Sequence, residues 1–545
     1  MNIVQEQLPA GQPLAEALIQ DFTRVSDYYE YNPAEEQSFG RRLAWLDQSE
    51  HLRVDRKELV KRLRAFNQLH NRHEAVSASL DQLEQPGTPV IVGGQQSGLF
   101  TGPLLVIYKA ATIIKAARQA ASQLGRPVVP VFWIAGEDHD WDEVDHTYVL
   151  SSDLKVTRIR LAHEHAQGTP VSWTELDAEA WEQAAGELEQ LLPGTEFKPG
   201  LMELYRNAAA GSATLTDCFA KLMGEWFGQY GLVLLDSADP EIRRLETPVF
   251  AAMISRNDEL EQAYRGTADE MTRRGFTLQA DARENGANLF YIHKGERLLL
   301  FKQDGKFCDR KGRVAFTRDE LLAELELHPE RFSNNVLTRP LMQDTLLPVL
   351  GAVLGSGEIA YWALTRRAFP VLDLQMPILL PRESFTVLEG TLQKHMEKYD
   401  LSWDDVKRPE AFQAKRQAWL AGQDSLNLEE RFAEIKSVFT GMYDPLIEQL
   451  GGIQAGLIKL GSANRDKIVD QIEYLRGKAM DALEKSNEAG LRHFDRIELS
   501  LFPLGKPQER VYNIFYYLSR YGTDWIDGLL GIPYDVTGKH RILNL

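Results

Sequence analysis

Cysteine is almost missing from this 545-residue sequence: Cys218 and Cys308 are the only two, far apart and each alone. No disulfide framework or cysteine-rich metal site can be built from them, which fits a reducing cytosol. Neither has an assignable role from sequence. Basic charge is also short, with 61 Lys and Arg against 79 Asp and Glu, a formal net charge of -18. That sign excludes a nonspecific nucleic-acid or anionic-membrane binder. No apolar run reaches transmembrane length, and Met1 to Ala10 has neither the basic start nor the apolar core of a signal peptide. The expectation is a soluble, cytoplasmic protein with no nucleic-acid or membrane partner. Known phosphate fingerprints are absent too. Gly94, Gly98 and Gly102 are spaced G-x3-G-x3-G, not G-x-G-x-x-G. Gly93 and Gly98 have the Walker spacing, but Leu99 and Phe100 stand where Lys and Ser/Thr belong, so a P-loop is excluded.

What is present is an ordinary globular composition, 43% hydrophobic and 26% charged, long enough for several domains or one large domain with insertions. The stretch Pro89 to His146 organises it. Short apolar runs at Pro89–Gly93 and Val128–Ala135 read as strands. Between them lies a glycine-rich turn (94–102) and a helix from Pro103 to about Leu124, with Leu104, Ile107, Tyr108, Ala111 and Ile114 at helical spacing. This is a βαβ unit, whose ligands bind at the carboxyl ends of the strands.

Both such ends carry unusual loops. The first packs Gly94, Gln95, Gln96, Ser97, Gly98 and Thr101 into one turn, with Thr101 expected to cap the helix and Pro103 near its first turn. A phosphate or carboxylate would be welcome at that helix N-terminus; the bland alternative is a tight turn only. The second loop, Glu137 to His146, holds the carboxylates Glu137, Asp138, Asp140, Asp142, Glu143 and Asp145 together with His139 and His146. It could bind Mg²⁺ or a substrate amine, and His139 could act as acid or base, or the loop could simply be solvated. Zinc fits poorly, because H-x6-H without cysteine is no standard ligand spacing. The metal stays unassigned.

Further along, Arg53 to Glu84 reads as a helix, Thr147–Leu150 and Leu154–Leu161 as strands, and Ala178–Leu192 and Met202–Gly228 as helices. Gly231–Leu235 is a buried strand ending at Asp236-Ser237, a pair that could join the cleft or cap the next helix. Residues 277–316 read as a small antiparallel insertion. Thr345–Leu354 is a strand followed by Gly355-Ser-Gly-Glu358 and a helix with Tyr361 and Trp362: strand, glycine turn, helix again. Glu358 would complement the helix dipole, or orient a ligand amine or hydroxyl. Met376–Pro381 is a last apolar run. From Leu428 to Leu483 apolar residues recur three and four apart, predicting an antiparallel helical hairpin with its turn at Gly461–Asn464 and a kink near Pro445. The seam could close within the chain or against a second copy. A final aromatic helix spans Val511 to Tyr521.

The motifs at 94–103 (Gly-Gln-Gln-Ser-Gly-Leu-Phe-Thr-Gly-Pro) and 130–140 (Pro-Val-Phe-Trp-Ile-Ala-Gly-Glu-Asp-His-Asp) resemble the bacillithiol biosynthesis cysteine-adding enzymes of bacteria. So do Gly357–Trp362, Pro381–Ser384 and Gln508–Arg510, so the resemblance spans nearly the whole chain. It implies an α/β fold: a Rossmann-like parallel sheet resembling a class I aminoacyl-tRNA synthetase core, with connecting insertions and a C-terminal coiled-coil hairpin. No His-Ile-Gly-His follows the first strand, and no Lys-Met-Ser-Lys-Ser appears later. The segments expected are 1–160 (helices and first half-core), 161–335 (core helices and insertions), 336–388 (second half-core), 389–503 (coiled coil) and 504–545 (return to the core). The implied activity joins the carboxyl group of cysteine to the amine of glucosaminyl malate, using ATP and Mg²⁺, in a homodimer. Asp138, His139 and Glu358 are then the catalytic candidates. The turn residues, Glu137, Asp140, Arg339 and Tyr361 would bind substrate or phosphate, Arg339 pairing with a malate carboxylate or a phosphate. Arg382, Ser384, Arg510 and Asn513 make a second candidate nucleotide site. Alternatives are a nucleotidyl-transfer enzyme acting on another acid, and a non-enzymatic coiled-coil assembly protein that senses a nucleotide.

Overall fold

The structure is a computed structural model that describes residues 2–6, 8, 11–163 and 168–545. Its backbone divides into two units, residues 1–387 with 506–544, and residues 388–505 with 545.

The first unit is built on a parallel sheet of β1 (Val90–Gln95), β2 (Val129–Ile134), β3 (Val233–Asp236), β4 (Val349–Leu354) and β5 (Ile378–Pro381). In space they run β5-β4-β1-β2-β3, every neighbour parallel. All residues of β2 to β5 are buried, as continuous apolar runs in a two-faced parallel sheet must be. Strand alternation sorts the side chains. Val90, Val92, Val129, Val131, Trp133, Val233 and Leu235 form one core with Leu59, Leu63, Leu80 and Leu83 from two helices on that face. Each such burial contributes roughly 1.5–3 kcal/mol. On the other face lies α1 (Leu104–Leu124), close enough that a Cβ at Gly93 would stand 2.8 Å from Ile113 Cδ1.

The inserted sheet runs Ala315–Phe316, Lys306–Cys308, Glu296–Gln303, Gly286–His293 and Phe332–Asn334, all antiparallel. A third sheet joins Asn2–Glu6, His540–Asn544 and Ser384–Leu388. The expected strand pair at 147–161 is His146–Leu150 with Val156–Arg160.

Two long helices and one strand end differently from what their periodicity suggests. Arg53–Glu84 is two helices, Arg56–His70 and Glu74–Glu84, the second started by His73, whose ring accepts the Ala75 N–H. Met202–Gly228 is Lys198–Ala210 and Leu215–Phe227. There Thr214 and Asp217 bond reciprocally as a capping box, which starts a new helix inside an apolar pattern. Residues 345–346 belong not to a strand but to α2 (Arg339–Leu346), opened by Pro340 in its first turn.

The second unit carries the hairpin of α4 (Leu428–Gly451) and α5 (Gly456–Ser486), α3 being Ser356–Trp362 in the first unit. Its turn is Gly452–Ala455, and Gly461–Asn464 is helical. A Cβ at Gly461 would lie 2.9 Å from Ile447 Cγ1, so this glycine serves close helix contact instead of a turn. Pro445 sits inside α4.

Candidate active site

The strand order reverses between β1 and β4, the topological switch point where ligands of open α/β sheets bind. Lys109 of α1 stands there. Its buried ammonium donates to Gly94 O at 2.7 Å, Gln95 Oε1 at 3.1 Å and Glu358 Oε2 at 2.6 Å. Glu358 also accepts the Gly355 N–H at 2.7 Å. Burial lowers the ammonium's pKa, with Glu358 opposing. For Glu358, burial is outweighed by Lys109 and Arg339, which hold the carboxyl below its usual range. Arg339 donates to Tyr361 OH at 2.8 Å and to Gln343 Oε1 at 3.0 Å, and a Cβ on Gly94 would approach its Nη1 to 3.5 Å. Lys109, absent from the sequence-based candidates, ties Gly94 and Gln95 to Glu358. Its signal was a lysine inside the apolar face of α1.

The acidic loop arrives at the same end from β2. Gln96 Nε2 donates to Asp138 Oδ2 at 2.6 Å and Glu143 Oε2 at 2.7 Å, so the two loops meet directly. Asp138 Oδ1 accepts the N–H of His139 at 2.7 Å and of Asp140 at 3.3 Å, which curls the loop around one carboxylate. Other acidic side chains have protein partners. Glu137 is buried against Arg243, which also pairs with Glu246, so Glu137 is part of a buried ionic cluster and not a ligand-facing group. Asp145 pairs with Arg160 and His146, and Asp142 with Arg160. Among the described residues no group of three or more His, Cys, Asp or Glu side chains is arranged to hold a metal ion.

The glycine-rich turn is tighter and more enclosed than expected. Phe100, Thr101 and Gly102 all take positive φ, at 52°, 72° and 72°, and a Cβ at Gly98 would lie 2.9 Å from Gly102 Cα. Pro103, not Thr101, holds the N-cap position; the left-handed backbone leaves the Thr101 side chain buried, its hydroxyl without a hydrogen-bond partner. The Leu104 N–H donates to Tyr512 O at 2.9 Å, and Asn513 Nδ2 donates to Phe100 O at 2.9 Å and Gly102 O at 2.6 Å. The helix end expected to receive an anion is therefore braced by the C-terminal segment. Asn513 does not join a second ligand site: both its amide hydrogens serve the turn, and its oxygen accepts the Phe515 N–H.

Ser97 is buried, 2.8 Å from Thr216 Oγ1, which accepts from Ser172 Oγ at 2.9 Å. Ser172 also bonds Asp236 at the carboxyl end of β3, where burial pushes the carboxyl up to about 7. Asp236 thus joins the cleft side, while Asp239 caps the following helix. Arg297, from the inserted sheet, is a second residue sequence reasoning missed. Its Nη1 lies 3.1 Å from His139 Nδ1. Only tertiary contact could reveal it.

A cavity of about 530 Å³ opens beside the ends of β4 and β5, bordered by Gly355, Arg382, Ser384, Glu509, Arg510 and His540. Arg382, Ser384 and Arg510 of the second candidate site share it. Arg382 forms a two-pronged pair with Glu509, at 2.6 and 3.1 Å, and Ser384 bonds His540 Nδ1 at 2.8 Å.

Fold and site together define a Rossmann-like α/β protein with a polar cleft at the switch point and a separate helical hairpin. The family described as "Bacillithiol biosynthesis BshC, N-terminal Rossmann-like domain" matches residues 1–383, and its "C-terminal coiled-coil domain" matches residues 385–545. A relative from Geobacillus kaustophilus (strain HTA426) is 36% identical over 545 residues, covering 100% of both chains. Another, from Bacillus cytotoxicus, is 35% identical over 492 residues, 90% of this chain and 91% of its own. Both carry the name "Putative cysteine ligase BshC". The chain belongs to the bacillithiol biosynthesis BshC family. No helix among the described residues is long and apolar enough to cross a membrane.

Proposed function

We propose that this protein is a ligase that forms an amide between the carboxyl group of cysteine and the amine of glucosaminyl malate. The observation that carries the reading is the full-length match to relatives named as cysteine ligases. The polar cleft at the switch point supplies the chemistry it needs. In this reading the cysteine carboxylate attacks the α-phosphorus of ATP, releasing pyrophosphate and leaving cysteinyl adenylate. The sugar amine then attacks the acyl carbon, AMP departs with the C–O bond electrons, and the amine's surplus proton passes to a carboxylate base. An amine must be neutral to attack, and Asp138, on the open loop beside Gln96, is the base we assign. Mg²⁺ would arrive with the nucleotide's phosphates.

The braced glycine turn argues for backbone rigidity over direct phosphate wrapping. A cationic group for the phosphates is instead offered by Arg339 beside Gly94, while Lys109 holds Gly94, Gln95 and Glu358 in place. Glu358, held as a carboxylate, would orient the amine of cysteine or a sugar hydroxyl. A cytoplasmic location is supported by two isolated free cysteines, of which Cys218 is buried and its thiol raised to about 12. Dimerisation through the hairpin is supported by its uncovered apolar side chains, Met442, Ile453, Leu460 and Leu475 among them.

Cysteine-dependent exchange of labelled pyrophosphate into ATP tests activation, and formation of the cysteinyl product from glucosaminyl malate tests ligation. Asp138→Asn should lower ligation by roughly 10²–10⁴ while leaving the melting temperature nearly unchanged. Normal ligation by that variant removes Asp138 from the mechanism. Absence of any cysteine-dependent exchange or product in the native protein removes the ligase reading.

A further inference from the structure

Arg297 sits on the Glu296–Gln303 strand of the inserted sheet, buried and stacked on Phe290 with its guanidinium carbon 3.8 Å from the ring centre. Nε donates to Ser333 Oγ at 2.8 Å and Nη2 to Asn334 O at 2.5 Å. These contacts fix the plane of the guanidinium, and the remaining Nη1 faces His139 Nδ1 at 3.1 Å. A guanidinium has N–H donors and no acceptor, so in this contact Nδ1 must be the acceptor. An imidazole whose Nδ1 accepts is neutral and carries its proton on Nε2.

We infer that Arg297 locks His139 as the Nε2–H tautomer, so that His139 serves as a neutral hydrogen-bond donor to the reacting acyl oxygen and not as a general base. The Nδ1 lone pair is occupied by Arg297, and the protonated Nε2 has no in-plane lone pair left to take up a proton. With its side chain 35% exposed, the ring still presents an edge to a ligand. Donors aimed at an oxygen where charge develops are among the largest contributions to acyl-transfer rates.

The electrostatics agree. Burial first, and then Arg297, push the imidazole below its usual pKa, against Asp138 and Asp140 from its own loop and Glu296 from the inserted sheet. Burial also draws Arg297 down to about 9, opposed by Asp138 and aided by Arg243, which leaves it charged near neutrality. Arg297 is thus a positioning residue that acts through His139. The tautomer follows from the geometry alone; the identity of the oxygen rests on the ligase reading above.

The test is ¹⁵N-histidine NMR of the full-length protein near pH 7.5, with the His139 signals assigned by their loss in His139→Gln. The expected pattern is a protonated Nε2 and an unprotonated Nδ1, shifting toward a tautomer mixture in Arg297→Met. A protonated Nδ1 in the native protein overturns the inference, and this spectrum decides it even if Arg297→Met does not fold. Activity adds a second readout. Glutamine keeps an N–H near the position of Nε2 but cannot act as a base, so His139→Gln should keep ligation within about 10-fold of native. His139→Ala should lose roughly 10²–10³. Equal loss in both variants overturns the donor role. Native protein with the expected tautomer but no cysteine-dependent ligation would instead refute the ligase reading and leave the tautomer standing.

Discussion

One ion pair and one carboxylate carry the strongest tests at the residue level. The Lys109–Glu358 pair is buried where the strand order reverses, and removing one partner leaves an uncompensated charge. Lys109→Met should therefore cost about 3–5 kcal/mol in urea unfolding, and adding Glu358→Gln should recover part of that loss. The same cost for Glu358→Gln in the native and the Lys109→Met backgrounds would mean the pair is not coupled. Asp236 gives a pH signature. Its carboxyl is raised from 3.8 to about 7, mainly by burial, so the folded state binds the proton more tightly than the unfolded one. Its contribution is complete below the unfolded value and is lost as pH rises through about 7. Asp236→Asn should remove this loss. Between pH 5 and pH 8 the native protein should lose stability relative to the variant, by at most about 1.4 kcal/mol per pH unit. Parallel melting curves for the two across that window would contradict the assignment.

Among the elements, the glycine-rich turn and the hairpin show how local signals acquire tertiary meaning. Glycine at 98 lets the turn close on Gly102, but its position is held by Asn513, distant in sequence. The hairpin depends on Gly461 in the same way. Its missing Cβ admits Ile447, so Gly461→Leu should wedge α4 and α5 apart and cost roughly 1–3 kcal/mol of hairpin stability. Ile447→Ala in the same chain should relieve the clash. Helix melting followed by circular dichroism would decide this, and a silent Gly461→Leu would show that the helices do not pack as closely as described. The hydroxyl chain from Ser97 through Thr216 and Ser172 to Asp236 likewise binds the first strand's loop to the end of the third.

For the molecule as a whole, the hairpin is the part whose surface demands an explanation. Ile453 is 78% exposed and Met442 73%, and Leu460 and Leu475 are exposed on the same hairpin. If the proposed dimer forms through the hairpin, light scattering should find a dimer for the native chain and a monomer once residues 427–486 are replaced by a short linker; a monomeric native chain would refute it. An unchanged dimer would move the interface elsewhere.

Period and turn chemistry made much of this protein readable. The βαβ unit at 89–135, the buried third strand, the antiparallel insertion and the hairpin all follow from apolar spacing between Gly, Pro and Asp breaks, which are local properties of the chain. So does the candidate cleft, because loops that follow parallel strands emerge at one edge of a sheet, and the Gln96–Asp138 bond joins two of them. Apolar spacing alone runs past the true helix ends where capping by Thr214 or His73 interrupts a continuing pattern. Gly461 is ambiguous in sequence because glycine signals both turns and close packing, and only the partner helix distinguishes them. Whether a charged residue faces a ligand or another side chain was not local information either. Glu137, Asn513 and Arg382 look like ligand groups in sequence, yet Arg243, the glycine turn and Glu509 are bonded to them. Arg297 and Lys109 reach the cleft from an inserted sheet and from inside an apolar helix. A buried charge must find a partner, and which partner it finds is set by folding segments hundreds of residues apart against one another.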